Sequence, residues 1–182
     1  IKELQKKIET GIVIKRDILE KRAKLIYIGI GSNLGNRRLN IERAKFALLQ
    51  NDIRIFKSSS YYESLSWPDP KKPKFLNVII EIFTNLNPEN LMRLCKKIEI
   101  KLGRKKTSKN SPRECDIDII DYNRKVKTNQ IILPHPRMHN RNFVLFPLYE
   151  INKAWKHPLL KTDIKNLILL LPNRDIRSIK QI

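Results

Sequence analysis

An α+β fold follows from three observations on this 182-residue chain. Two apolar runs, 25–30 and 75–83, have the β-branched content or the alternation of strands. Two other stretches, 37–50 and 88–102, space their apolar residues as helices do. The elements succeed one another as β-α-β-β-α-β, the order of an antiparallel sheet with helices packed on it.

The first strand is the run 25–30, ended by a turn through Gly31, Asn33 and Gly35. A helix follows from about Arg37 to Gln50, with Leu39, Ala44, Ala47 and Leu48 as its apolar positions. Residues 53–62 read as a second strand. A long loop containing Pro68, Pro70 and Pro73 joins it to the third, 75–83, where Val78, Ile80 and Ile82 alternate. Pro88 opens the second helix in the favoured first-turn position. Leu91, Leu94, Cys95, Ile98 and Leu102 share one face, and Gly103 stops the helix. After a polar loop, Asp116–Tyr122 reads as the last strand. This βαββαβ order is that of ferredoxin-like folds, and it predicts an antiparallel sheet covered on one face by two helices. A C-terminal extension completes the chain: a short hairpin at 124–133, an irregular turn at 135–141, an apolar piece at 143–148 and a helix near 162–170. Residues 1–24 differ in character and read as an N-terminal extension.

With 41% apolar residues, five Gly and ten Pro, the composition excludes collagen, low complexity and general disorder. Two cysteines, Cys95 and Cys115, form no C-x-x-C pair and are expected as free thiols in a reducing compartment, the cytoplasm. No apolar stretch reaches the roughly 20 residues of a membrane span. The 38 Lys and Arg against 18 Asp and Glu leave a charge of +20. Such a field attracts any polyanion, and general enrichment in Lys explains it equally well.

The segment Pro112-Arg113-Glu114-Cys115-Asp116-Ile117-Asp118-Ile119 is the sharpest chemical feature. Residues two apart on a strand share a face at about 6.6 Å, so Asp116 and Asp118 present two carboxylates side by side. They repel each other unless a divalent cation or water screens them. Arg113, with Arg104, Lys105, Lys106 and Lys109 before it, forms a basic loop that suits phosphate oxygens or is simply solvated. His135 and His139 have the spacing of a zinc pair but lack the accompanying glutamate and a third ligand. His135 and Arg141 read better as phosphate donors, with Phe143 either a core residue or a flat face for a stacked ring. The 29–35 glycine segment matches neither a dinucleotide fingerprint nor a P-loop; it is a tight turn or borders a ligand. Asn77, polar within an apolar strand, pairs with backbone or with the amide-like edge of a heterocycle.

Together, Gly29-Ile30-Gly31-Ser32-Asn33-Leu34-Gly35, Phe75-Leu76-Asn77, the 112–119 segment and Pro134-His135-Pro136-Arg137-Met138-His139-Asn140-Arg141-Asn142-Phe143 resemble the 6-hydroxymethyl-7,8-dihydropterin pyrophosphokinase family of folate synthesis. The resemblance runs from about residue 25 to 182 and implies one pyrophosphokinase domain there. It implies an ATP- and magnesium-dependent enzyme that moves pyrophosphate from ATP to the pterin hydroxymethyl and releases AMP. By resemblance, Asp116 and Asp118 hold two Mg²⁺ ions, and Arg104 and Arg113 are the catalytic arginines of a mobile loop. Lys96, Glu99, Arg113, Ile119, Ile132, His135 and Arg141 fall at ATP-contacting positions. Phe75 and Phe143 sandwich the pterin, Asn77 bonds its edge, and Ser64, Leu65 and Trp67 line its pocket. The chain departs from the pattern at Asn110, where many members carry Trp, and at Lys106 and Gln130, which replace arginines. Residues 1–24 have no counterpart in the minimal enzyme. The partners expected are ATP and a pterin, with no nucleic acid and no membrane, acting on a monomer. An RNA-recognition module shares the β-α-β-β-α-β order, but residues 75–83 lack its glycine-aromatic pattern. A non-catalytic relative has no need of the aspartate pair.

Overall fold

A computed structural model describes residues 24–105 and 110–182. The N-terminal extension up to residue 23, and Lys106 and Lys109 of the basic loop, lie outside the described residues. The β-branched run forms β1 (Lys24–Ser32), which continues two residues past the C-terminal end of the apolar run, so Gly31 belongs to the strand and not to the turn. Next comes α1 (Arg37–Leu49), whose first turn is closed by the Asn36 side chain accepting from the Leu39 N–H at 3.1 Å. In α2 (Pro88–Lys101), Asn87 plays the same part toward the Asn90 N–H, at 2.8 Å. Gly103 stops α2 with φ of 104°, a conformation that favours glycine.

The strand expected at 53–62 is two strands, β2 (Arg54–Ser58) and β3 (Tyr62–Ser64), set end to end along β4 (Phe75–Thr84). Ser59 divides them. Its N–H donates to the Ile79 carbonyl, and its hydroxyl, in place of a backbone carbonyl, accepts the Ile79 N–H at 3.0 Å. With β5 (Asp116–Tyr122) and the short C-terminal β6 (Lys180–Gln181), the strands form one sheet of order β5-β1-β4-β3-β6, with β2 also on β4. Every pairing is antiparallel.

One face carries Ile26, Ile28 and Ile30 of β1, Val78, Ile80 and Ile82 of β4, and Ile117 and Ile119 of β5, packed under α1 and α2. Fully burying one such side chain contributes about 1.5–3 kcal/mol. The opposite face is covered too, contrary to the one-sided sheet expected from the element order. Tyr27, Ile79 and Ile120 pack there against α3 (Asn142–Ile151) and α4 (Ile164–Leu169), with Trp155 wedged between. The apolar piece 143–148 is thus the middle of a helix, which runs through Pro147. The hairpin expected at 124–133 is only a lone bridge between Lys127 and Leu133. Asn123, Arg124 and Gln130 all have positive φ, which interrupts any ladder. A further helix, α5 (Asn173–Ser178), precedes β6. Among the described residues no helix is long and apolar enough to cross a membrane.

Ile80 has no exposed surface in the larger cluster. Replacing it by alanine removes a buried side chain and leaves a void, so Ile80→Ala should lower the unfolding free energy by about 2–5 kcal/mol. Equilibrium urea unfolding checks this, with a lower midpoint and an unchanged slope expected.

Candidate active site

Toward one end of the second face the apolar packing gives way to a cleft of about 670 Å³. Alternation along β5 sends Ile117 and Ile119 to the helices and Asp116, Asp118 and Ile120 to this side. The paired carboxylates therefore lie on the cleft floor, as the two-residue spacing predicted. Beside them Gly31 is a strand residue with ordinary φ. A Cβ there would stand 3.0 Å from Asn77 Oδ1 and 3.3 Å from Phe75 Cδ1, so the missing side chain, rather than a turn, is what glycine supplies.

Asn77 is buried and donates to Ser64 Oγ at 3.0 Å and to the Tyr62 carbonyl at 3.3 Å. These protein bonds hold its amide with Oδ1 over Gly31. Ser64, Trp67, Phe75 and Phe143 line the same end of the cleft. Lys96, Glu99, Arg104 and His135 line the other, with Asn110 and Lys105, and Arg113 and Arg141 stand between the two against the aromatic rings.

Charge is the organising force at that end. Glu99, although almost wholly buried, accepts from the Ile117 N–H at 2.7 Å and from Lys96 Nζ at 2.8 Å. Its second oxygen meets Arg104 Nη1 at 2.7 Å, and the same nitrogen lies 2.7 Å from Asp116 Oδ1. Arg113 Nη2 holds the other Asp116 oxygen at 2.6 Å. Burial by itself would raise the Asp116 carboxyl; Arg113 and Arg104 outweigh it and keep the group below the usual carboxylate range. Asp118 is held more loosely, with Arg141 Nη1 at 3.5 Å and His135 Nε2 at 3.7 Å. Burial, together with Arg141 and Arg137, pushes the His135 imidazole below its ordinary value against the pull of Asp118, so at neutral pH it is uncharged. Its Nδ1 accepts the Arg137 N–H at 3.2 Å, and its Nε2 lies 3.4 Å from Arg141 Nη1 as well as facing Asp118.

The guanidiniums also sit on the aromatic walls. Arg113 is centred 5.4 Å from the Phe75 ring; Arg141 lies 5.3 Å from Trp67 and 5.4 Å from Phe143. Among the described residues the Nε atoms of Arg113 and Arg141 are buried without a hydrogen-bond partner. An unsatisfied buried donor is costly, and two of them aimed around one cleft suit an anionic ligand that accepts from both. Among the described residues six cationic side chains against four carboxylates line the cleft, which favours the same class of ligand.

Three residues matched by resemblance do not project into this space. Ile119 packs in the helix-facing core, so only its backbone is available to a ligand. Ile132 is exposed on the 124–133 turn, and Leu65 lines a smaller adjoining cavity. Phe143 is half-buried, packing against the core cluster with its ring at the cleft. The zinc pair fails: the short 3₁₀ turn Met138–Asn140 directs His139 to His157, ring centres 5.9 Å apart, instead of to His135. Among the described residues no three His, Cys, Asp or Glu side chains gather to hold a metal ion. The open sheet platform of an RNA-recognition module is absent as well, because α3 covers that face. Cys95 and Cys115 are free and buried, and burial pushes both thiols up to about 12.

Asn33, which the sequence marks only as a turn residue, ties three segments together. Its backbone N–H donates to the Arg113 carbonyl at 3.2 Å, its Oδ1 accepts the Arg113 N–H at 2.8 Å, and its Nδ2 donates to the Pro73 carbonyl at 3.2 Å. Its place within the 29–35 glycine segment was the available signal.

The chain was then compared with known proteins. The family described as 7,8-dihydro-6-hydroxymethylpterin-pyrophosphokinase matches residues 27–153. The 2-amino-4-hydroxy-6-hydroxymethyldihydropteridine pyrophosphokinase of Bacillus subtilis is 42% identical over 129 residues, covering 70% of this chain and 77% of that protein. That of Aquifex aeolicus is 38% identical over 141 residues, 77% and 88% of the two chains. The folic acid synthesis protein fol1 of Pneumocystis carinii is 36% identical over 85% of this chain, which spans only 21% of that longer protein. A crystal structure of Plasmodium falciparum HPPK-DHPS A437G/K540E with pterin and p-hydroxybenzoate shares the fold, with a TM-score of 0.69 at 13% identity over 88% of this chain and 48% of that one.

The depressed Asp116 carboxyl carries a pH signature. The native group binds a proton less readily than the unfolded one, so its arginine pairs stabilise the fold fully above the ordinary carboxylate range and are lost as pH falls through the lower native value. Chemical unfolding in chelator, followed from neutral pH into acid, should show stability declining over that window. Asp116→Asn, which cannot titrate, should flatten the decline.

Proposed function

The chain belongs to the 7,8-dihydro-6-hydroxymethylpterin-pyrophosphokinase family, and on that premise we propose that it transfers pyrophosphate from ATP to the hydroxymethyl group of 6-hydroxymethyl-7,8-dihydropterin, releasing AMP, in folate synthesis. The observation that carries the reading is the pair Asp116 and Asp118 on a cleft floor ringed by Arg104, Arg113 and Arg141, beside the aromatic walls of Phe75 and Phe143.

Asp116 and Asp118 would hold Mg²⁺, two ions in our reading. Among the described residues no third His, Cys, Asp or Glu gathers with the two carboxylates, which leaves the remaining positions to phosphate oxygens and water, the preference of Mg²⁺ rather than zinc. When bound, Mg²⁺ neutralises charge on the polyphosphate. In the reaction the acceptor hydroxyl oxygen bonds to the β-phosphorus, and the bond from that phosphorus to the oxygen it shares with the α-phosphate breaks. AMP leaves with that oxygen and the hydroxyl proton passes to water. Arg104 and Arg113, now paired with Asp116, exchange that carboxylate for the transferred group, and the Nε of Arg113 has no partner among the described residues to lose. Lys96, Glu99, neutral His135 and Arg141 set the nucleotide, with the backbone of Ile119 and the exposed edge at Ile132 as its outer contacts. Phe75 and Phe143 stack on the pterin. Asn77, held by Ser64, meets its edge, and Leu65 and Trp67 close the pocket.

Residues 25–182 form the pyrophosphokinase unit in this reading, with 1–24 appended. The sheet order, with β2 and β3 together taking the place of one strand, fits the ferredoxin-like βαββαβ unit. The reading takes the chain as a monomer, and the free buried thiols suit the cytoplasm.

Incubation with ATP, Mg²⁺ and the hydroxymethyl pterin should yield AMP; ADP as the nucleotide product would refute pyrophosphate transfer. Asp116→Ala and Asp118→Ala should each abolish turnover with the far-ultraviolet dichroism retained, and near-normal activity in either would remove the metal assignment. Arg113→Ala should lower kcat about a hundredfold or more, with a smaller effect on KM. Gly31→Ala should weaken acceptor binding by about 1–3 kcal/mol as its methyl crowds Asn77 and Phe75, which titration with the pterin measures.

A further inference from the structure

Beyond residue 153, where the family match ends, the chain returns to the cleft. Strand β6 pairs with β3, Gln181 opposite Tyr62 and Lys180 opposite Glu63, and the Ile182 N–H donates to the Tyr61 carbonyl at 2.9 Å. On its other side this segment grips the start of α3. Asn142 Nδ2 donates to the Asp175 carbonyl at 2.6 Å and to Ser178 Oγ at 3.2 Å, while Asn142 Oδ1 accepts the Phe143 N–H at 2.7 Å. The Ser178 hydroxyl is itself fixed, donating to the Asp175 carbonyl at 3.0 Å. Asn142 is buried, so these bonds face little competition from water.

The two places gripped are the two walls of the acceptor end of the cleft. Strand β3 carries Ser64, which positions Asn77; α3 begins with Asn142 and carries Phe143 next to it. A cavity of about 190 Å³, lined by Trp67, Phe143, Asp175 and Ser178 among others, separates the segment from the rings. The segment reaches α3 through hydrogen bonds to Asn142 and through Ile176, which packs on the second core cluster.

We propose that residues 172–182 are a strap that fixes the gap between the Asn77 wall and the Phe143 wall, with Asn142 the positioning residue through which the strap sets the place of Phe143 and so the affinity for the acceptor. The proposal rests on the reading of Asn77 and Phe143 as acceptor contacts. Arg141, a nucleotide contact in that reading, is centred 5.4 Å from the Phe143 ring, so the strap bears first on the acceptor and less on the nucleotide.

Two variants of the full chain cut the link. Asn142→Asp keeps the oxygen that accepts from Phe143 but replaces the donor with an oxygen facing the Asp175 carbonyl; Ser178→Ala removes the hydroxyl. Each should raise KM for the pterin about fivefold to tenfold, the ratio that corresponds to one lost buried hydrogen bond, with KM for ATP within about twofold of the unaltered chain. An unchanged pterin KM in both, or an equal rise in the two KM values, overturns the strap. Hydrogen exchange is followed in parallel. If the unaltered chain releases no AMP, the reaction reading falls and exchange alone decides: lost protection at 62–66 and 142–148 in the variants upholds the linkage, and retained protection overturns it.

Discussion

Like charges two residues apart on one strand face have to be answered by opposite charge, and that constraint shapes the active end of this molecule. Asp116 and Asp118 stand on the same side of β5 because alternate residues of a strand do. Their repulsion is met by Arg104 and Arg113 at contact distance and by Arg141 slightly farther off. Glu99, placed beneath Arg104 by α2, needs Lys96 and the Ile117 N–H in turn. The result is a line of alternating charge from helix to strand to loop, in which every guanidinium has a carboxylate that a more highly charged ligand can replace. A polyphosphate with its cations offers both halves of that exchange at once: cations for the aspartates and anionic oxygens for the arginines.

The sheet makes this possible by using its second face for two purposes. At one end Tyr27, Ile79 and Ile120 are roofed by α3 and Trp155 and form a second core. At the other end the same strands present Gly31, Asn77, Asp116 and Asp118 to the cleft. The change from apolar to polar along β1, β4 and β5 decides where core stops and site begins. The helix-facing side, apolar along its length, supplies the rigidity that holds the carboxylates in place.

Much of this is legible in the sequence. The strand Asp116–Tyr122 and the starts of both main helices were readable because alternation, helical spacing, Pro88 and Gly103 are local signals. The convergence of Asp116, Arg113, Asn77 and Phe143 followed from motif resemblance, since each lies in a short dense segment. What escaped was non-local. Nothing in residues 53–62 announces that the Ser59 hydroxyl will take a backbone N–H and divide a strand. The roof over the second face depends on α3 tolerating Pro147, and the turn at 124–133 depends on backbone conformations that Asn123, Arg124 and Gln130 adopt in context. Ile119 and Ile132 were matched by position, and position in a motif does not say whether side chain or main chain meets a ligand.

Strand β5 forms one margin of the sheet, where unpaired backbone groups would ordinarily invite a foreign strand. Here the Glu99 carboxylate already occupies the Ile117 N–H, and the His135 N–H occupies the Ile120 carbonyl. At the opposite margin β6 is two residues long and begins with lysine. The same glutamate that steadies the charged cleft thus also guards a border against self-association, so losing it would expose the protein to aggregation as well as to inactivity.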